Sequence, residues 1–178
     1  MKRISAIILI ILVVLITFQV QMQSNASSTT SSIALSTSSP ENATVYFFDV
    51  GQGDSILVKT STKNVLIDGG PTESGTTLLN YLSTYNVAKI DLLIATHPHE
   101  DHIGGLVSVM QSTIPIQDVV YNGVNYTTQV FSTWKALALT HNLTQASRNQ
   151  VYALAPTINL TVASPTSPTQ FSDLTMAV

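Results

Sequence analysis

The sequence predicts a layered fold of the α/β class, with strands and helices sharing one sheet-centred core. Three observations carry this reading. Short β-branched and aromatic runs begin at Thr44, a nearly uninterrupted apolar strand occupies Ile90–Thr96, and apolar side chains recur at helical spacing between the strands. A chain of 178 residues suits one domain of ordinary size.

The elements follow in order. Thr44–Val50 reads as a strand, Gly51-Gln52-Gly53 as a tight glycine turn, and Ser55–Thr60 as the returning strand. Val65–Asp68 forms a third, stopped by Gly69-Gly70-Pro71, so the opening is a meander. Leu78, Leu79, Leu82 and Tyr85 define an amphipathic helix of about 10 residues behind Thr76-Thr77. Ile90–Thr96 is a buried strand, and Leu106, Val107, Val109 and Met110 mark a short helix. A strand at Val119–Tyr121, a helix at Gln129–Thr140 and a strand at Ile158–Ala163 complete the reading, and no internal repeat is visible.

Ahead of this domain, Met1-Lys2-Arg3 precedes an apolar run from Ile4 to Val20 interrupted only by Ser5, Thr17 and Gln19. A basic start with such a run is a signal peptide or an N-terminal membrane anchor over residues 1–23, and either one places the domain outside the cytoplasm. Residues 24–43 form a Ser/Thr-rich linker, with eleven of the seventeen residues from Ser24 to Pro40 being Ser or Thr, too polar to offset the entropy of ordering. The domain proper is 44–178. Asn-x-Ser/Thr sequons begin at Asn25, Asn42, Asn125, Asn142 and Asn159, which suits export, although a chain so rich in Ser and Thr also makes them by chance.

Composition narrows the chemistry. Apolar residues make up 44% and charged residues 10%, which excludes collagen-like and highly charged disordered classes. The chain has no cysteine, so thiolate zinc sites, iron–sulfur clusters, disulfides and a cysteine nucleophile are excluded. Any metal is held by His and carboxylate. Beyond Lys2 and Arg3 there are five basic against ten acidic residues, a balance opposed to a large nucleic-acid footprint.

The decisive stretch is Thr96-His97-Pro98-His99-Glu100-Asp101-His102-Ile103-Gly104-Gly105, which holds three of the four histidines. Pro98 biases His97 toward extended backbone, so His97 and His99 project to one side and chelate one metal, while Asp101 and His102 aim at a second where the next helix begins. Gly104 and Gly105 permit close backbone packing beneath the site. Imidazole with carboxylate suits zinc, with manganese or iron as alternatives. A polar surface loop that traps metal adventitiously is the bland counter-reading; the position between a buried strand and a Gly-Gly helix start argues against it.

These residues carry a resemblance. Asp49-Val-Gly-Gln-Gly-Asp-Ser55, Leu66-Ile-Asp-Gly-Gly70 and the histidine motif stand in the order and spacing of the metallo-β-lactamase fold, in particular its competence-type branch, the extracytoplasmic hydrolase domain of ComEC-type DNA-uptake proteins. Many members of that branch have Asp at the position of His99. The resemblance, from about Val45 to about Pro165, implies an αββα sandwich of which this chain carries the N-terminal half and part of the remainder. It implies two divalent ions, with His97 and His99 at site one and Asp101 and His102 at site two, Asp101 being the catalytic candidate among the ligands. Asp68, at a strand end, is expected to orient a ligating histidine. Asp49, Gln52 and Asp54 are expected to shape the loop near the site.

The family also takes a further histidine, a bridging aspartate in a Thr-Gly-Asp-like segment and a last histidine from a downstream half. None follows before Val178, so the sequence reads as the N-terminal part of a longer protein, and the chain alone as a weak catalyst. His141 is expected at the surface, and Asp173 comes too early to bridge. Three functions compete: an exported phosphodiesterase or nuclease acting on extracellular nucleic acid through a metal-activated hydroxide, a hydrolase of small lactones, β-lactams or esters, and a non-catalytic exported module. A membrane is a partner through the N-terminal segment if it stays uncleaved.

Overall fold

The computed structural model describes residues 41–164. The leader, the linker up to Pro40 and Asp173 lie outside the described residues. Among the described residues, no helix is long and apolar enough to cross a membrane.

Six strands form one sheet in chain order: β1 (Thr44–Phe47), β2 (Ile56–Lys59), β3 (Asn64–Ile67), β4 (Ile90–Ala95), β5 (Ile116–Tyr121) and β6 (Asn142–Gln145). β1 to β3 pair antiparallel as a meander, and β3 to β6 pair parallel. Parallel neighbours need crossovers, supplied by helices α1 (Gly75–Thr84), α2 (Glu100–Gln111) and α3 (Gln129–Ala138). A separate hairpin joins β7 (Val151–Ala155) to β8 (Ile158–Thr161). The mixed sheet with its interspersed helices is the α/β layering expected from the sequence.

Alternation sorts the strands into two faces. The register aligns Leu57, Leu66, Leu93 and Val119 across four strands, all fully buried against Leu78 and Leu82 of α1, Ile103, Leu106 and Val109 of α2, and Phe131 and Trp134 of α3. On the reverse face Val65, Leu92 and Val120 meet Leu154 of the hairpin. β4 is buried on both faces, which explains its near-continuous apolar run. At the β1 edge the reverse face is bare: Phe47, beside Ile56, is 78% exposed.

Four expectations need correction. The first strand ends at Phe47 rather than Val50, and residues 48–55 form a loop rather than a tight turn, with Gly51 and Gly53 at φ of 79° and 87°. That loop lies against the start of α2, where a Cβ on Gly53 would sit 1.8 Å from the Asp101 carbonyl oxygen. The second helix is longer than its apolar repeat, starting at Glu100, because its first turn is polar. α3 stops at Ala138, where Leu139 closes on Lys135. β6 and β7 were not expected: β6 is largely exposed and β7 buries only Leu154 and Ala155, so each shows no clear apolar alternation and forms by pairing, with β5 and β8 respectively.

Candidate metal centre

Two chain reversals meet above the ends of β3 and β4. At the first, Asp68 adopts a left-handed backbone, φ 55°, a conformation that Asp tolerates better than most side chains. At the second, the chain leaves Ala95 through Thr96, His97 and Pro98 and enters α2 with His99 as the capping residue. Glu100 and Asp101 in the first turn oppose the positive end of the helix dipole. Glu100 also accepts the Thr72 N–H at 2.6 Å, tying the helix start to the loop after β3.

Close backbone contact joins the two reversals. Gly69 donates to the His102 carbonyl at 2.7 Å, and Gly105 donates to the Gly70 carbonyl at 3.0 Å. Neither Gly104 nor Gly105 has space for a Cβ, which would lie 2.3 Å from the Thr72 nitrogen or 2.0 Å from the Gly69 oxygen. The approach holds Asp68 under the histidines.

Asp68 is 2% exposed. It accepts the Thr96 N–H at 2.8 Å and the Thr96 hydroxyl at 2.5 Å, and the His102 Nδ1–H donates to it at 2.8 Å. Burial raises its pKa above the ordinary carboxylate value, against the opposing pull of these bonds. These three bonds let Asp68 orient Thr96 and His102, and its carboxylate also lies within reach of the His97 and His102 donor atoms.

His97 stands at the centre. Its ring lies 3.8 Å from that of His102 and 4.8 Å from that of His99, centroid to centroid. Donor atoms of His97, His99 and Asp101 fall within 4.8 Å of one another, and so do those of Asp68, His97 and His102. Asp101 therefore groups with the first two histidines as well as standing 3.9 Å from His102 Nε2. Burial, then the neighbouring His102 and His99, lower the His97 pKa, with Asp101 and Asp54 pulling the other way. A neutral imidazole is the form that ligates metal.

Of the three loop residues, Gln52 donates to Asp101 at 3.3 Å and the exposed Asp54 carboxylate lies 4.0 Å from His102 Nδ1. Asp49 turns away: it accepts the Gly51 N–H of its own loop. His141 is half-buried just before β6, and the parallel register puts it at the opposite end of the sheet from His97. The sequence reading missed Tyr126, whose ring is 5.4 Å from His99 on the loop before α3; nothing in the local sequence marks it. It also passed over Thr96, whose only signal is its place directly before the motif.

The chain is 38% identical over 72 residues to the competence protein ComA of Neisseria gonorrhoeae, an alignment covering 39% of this chain and 10% of that protein. It is 28% identical over 74 residues to the endoribonuclease ysh1 of Schizosaccharomyces pombe, covering 38% of this chain and 10% of that protein. The matched part thus spans 10% of the length of these curated relatives. Among solved structures, the metallo-β-lactamase SMB-1 in a complex with mercaptoacetic acid superposes with a TM-score of 0.49 at 13% identity, covering 68% of this chain and 49% of that one. The Rm3 metallo-β-lactamase superposes with a TM-score of 0.46 at 22% identity, covering 67% and 48%. The sequence model of the metallo-beta-lactamase superfamily matches residues 48–139, more than half of the chain, and that span runs from the glycine loop through Asp68 and the histidine motif to the end of α3. On that match the chain belongs to the metallo-β-lactamase superfamily.

Proposed function

We propose that the protein is an exported metal-dependent hydrolase of phosphodiester bonds, of the nuclease or phosphodiesterase type. The observation that carries the reading is the convergence of His97, His99 and Asp101 donors within 4.8 Å, with His102 beside them. The donor set fits a divalent ion: it is imidazole and carboxylate, and burial lowers the pKa of its central histidine. His97, His99 and Asp101 would hold one ion, and His102 with Asp101 would face a second, zinc first and manganese or iron as alternatives. When bound, such ions would lower the pKa of a coordinated water toward about 7 and would draw charge from the scissile phosphoryl group.

The chain's own residues position and hold. Gln52 restrains the Asp101 carboxylate, the Asp68 carboxylate fixes the His102 ring, and the Gly69–Gly105 contact keeps both in register. The phosphodiester class is supported by the relative named as an endoribonuclease and by the one named as a competence protein. Export is supported by the basic start and apolar run of residues 1–20.

The test is hydrolysis of bis(p-nitrophenyl) phosphate, single-stranded DNA and RNA by the gene product with added zinc or manganese, beside a β-lactam and a lactone. Cleavage of the phosphodiesters that disappears in His97→Ala and His102→Ala is expected. Turnover of only the lactam or lactone would overturn the substrate class. A reporter fused behind residues 1–43 that stays in the cytoplasm would overturn export.

A further inference from the structure

We propose that Thr96 is a positioning residue that extends the reach of Asp68 to His97, so that one buried carboxylate sets the ring orientation and tautomer of both His97 and His102. The inference rests on the reading that these histidines hold metal.

Thr96 Oγ1 lies 2.5 Å from Asp68 Oδ2 and 3.1 Å from His97 Nδ1. A hydroxyl has one hydrogen to give and two lone pairs to receive with. Two oxygens 2.5 Å apart with no proton between them would repel, and the Thr96 hydroxyl is the donor of this bond, so its hydrogen points at Asp68. Oγ1 is left as an acceptor. The contact with His97 is then a bond that Nδ1–H donates, which places the ring proton on Nδ1 and the lone pair on Nε2. His102 reaches the same state directly, its Nδ1–H donating to Asp68 at 2.8 Å.

The backbone keeps the relay in place. Thr96 N–H donates to Asp68 Oδ1 at 2.8 Å, so main chain and side chain of one residue grip both carboxylate oxygens. Asp68 N–H in turn donates to the Ile94 carbonyl at 2.9 Å, which ties the left-handed turn to β4. The His97 ring is therefore oriented through a hydroxyl that is itself held at two points.

Two substitutions separate the relay from a merely structural role. Thr96→Val keeps the shape and removes the hydroxyl; Thr96→Ser keeps the hydroxyl. In the metal-free gene product, imidazole nitrogen NMR should show His97 as the Nδ1–H tautomer in the wild type and in Thr96→Ser. In Thr96→Val it should move toward Nε2–H while His102 stays as it was. Zinc titration should show about 10- to 100-fold weaker binding of one ion in Thr96→Val, the range for loss of an orienting partner, and near-normal binding in Thr96→Ser. A wild-type His97 found as the Nε2–H tautomer overturns the proposal with no variant needed. So does a Thr96→Val protein in which the His97 tautomer is unchanged, or in which His97 and His102 shift together. Both readouts are taken without substrate, so a missing phosphodiesterase activity would leave this proposal standing, and a failed relay would leave the hydrolase reading standing.

Discussion

Gly105→Ala places two physical effects in opposition. Alanine in a helix interior is favoured over glycine by about 1 kcal/mol, so on propensity alone the variant gains stability. The structure predicts the reverse. A Cβ there would lie 2.0 Å from the Gly69 carbonyl oxygen and 2.9 Å from its carbonyl carbon. The first contact falls about 1.5 Å short of an ordinary non-bonded separation of about 3.5 Å. Backbone cannot rotate away as a side chain would, so α2 and the loop after β3 must part. Parting by that amount breaks the 3.0 Å bond from Gly105 to Gly70 and carries His102 beyond hydrogen-bond range of Asp68. Overpacking costs about 1–3 kcal/mol and each lost bond about 1 kcal/mol, which exceeds the propensity gain. Net destabilisation of about 2–4 kcal/mol is expected in equilibrium denaturant unfolding of the metal-free protein, with weaker zinc binding in a chelator competition. Gly51→Ala is the control: it has open space and a φ of 79°, so it loses about 1–2 kcal/mol through backbone strain and keeps its zinc affinity. A Gly105→Ala protein that gains about 1 kcal/mol and binds zinc normally would refute the close-approach argument.

Further outcomes follow from other parts of the molecule. His97 and His99 would both hold the first ion, so His97→Ala and His99→Ala should each lower metal stoichiometry at that position, and His102→Ala at the second, read by elemental analysis after dialysis. Leu93→Ala, at the fully buried centre of the sheet, should cost about 2–5 kcal/mol in denaturant unfolding. Burial alone would raise the Asp91 pKa, but Lys89 at 2.7 Å, the Asn64 N–H at 2.9 Å and Lys63 at 3.6 Å together lower it. A lowered carboxylate pKa contributes stability above the unfolded value that is lost as pH falls through the folded one, so the deficit of Asp91→Asn should be full at pH 7 and shrink below about pH 4. If the protein binds DNA, the five basic residues beyond the leader predict a shallow salt dependence, measured as the slope of log affinity against log salt; a slope as steep as about −6 would contradict it.

The elements that the sequence announces are those whose burial is decided locally. Ile90–Ala95 is covered on both faces, and Leu78 and Leu82 face the sheet at helical spacing, so an apolar pattern is visible without knowing the neighbours. β6 shows no such pattern: Asn142, Thr144 and Gln145 are exposed, and the strand exists because β5 offers it a parallel ladder. The start of α2 was hidden for a different reason. Its first turn holds Glu100, Asp101 and His102, and Gly104–Gly105 follows, so chemistry and close packing occupy positions where an apolar repeat would have shown. At the site, the histidine motif and Asp68 can be read from residue type and context. The reach of Gln52 and the place of Tyr126 depend on how loops 49 residues before Asp101 and 27 residues after His99 fold onto the cluster, and no spacing rule carries that.

The contact between Asp68 and the motif lies wholly within β3, α1, β4 and α2, a single uninterrupted stretch of chain. Assembly of the histidine donors is thus tied to folding of one local stretch, with the loop after β1 adding the Gln52 bond to Asp101. An ion that binds the assembled set binds only the folded form of that stretch, and by mass action holds it closed. The gain should be unevenly spread: amide hydrogens of Leu66, Leu93 and Leu106 should exchange more slowly as zinc is added, while those of the hairpin keep their metal-free rates.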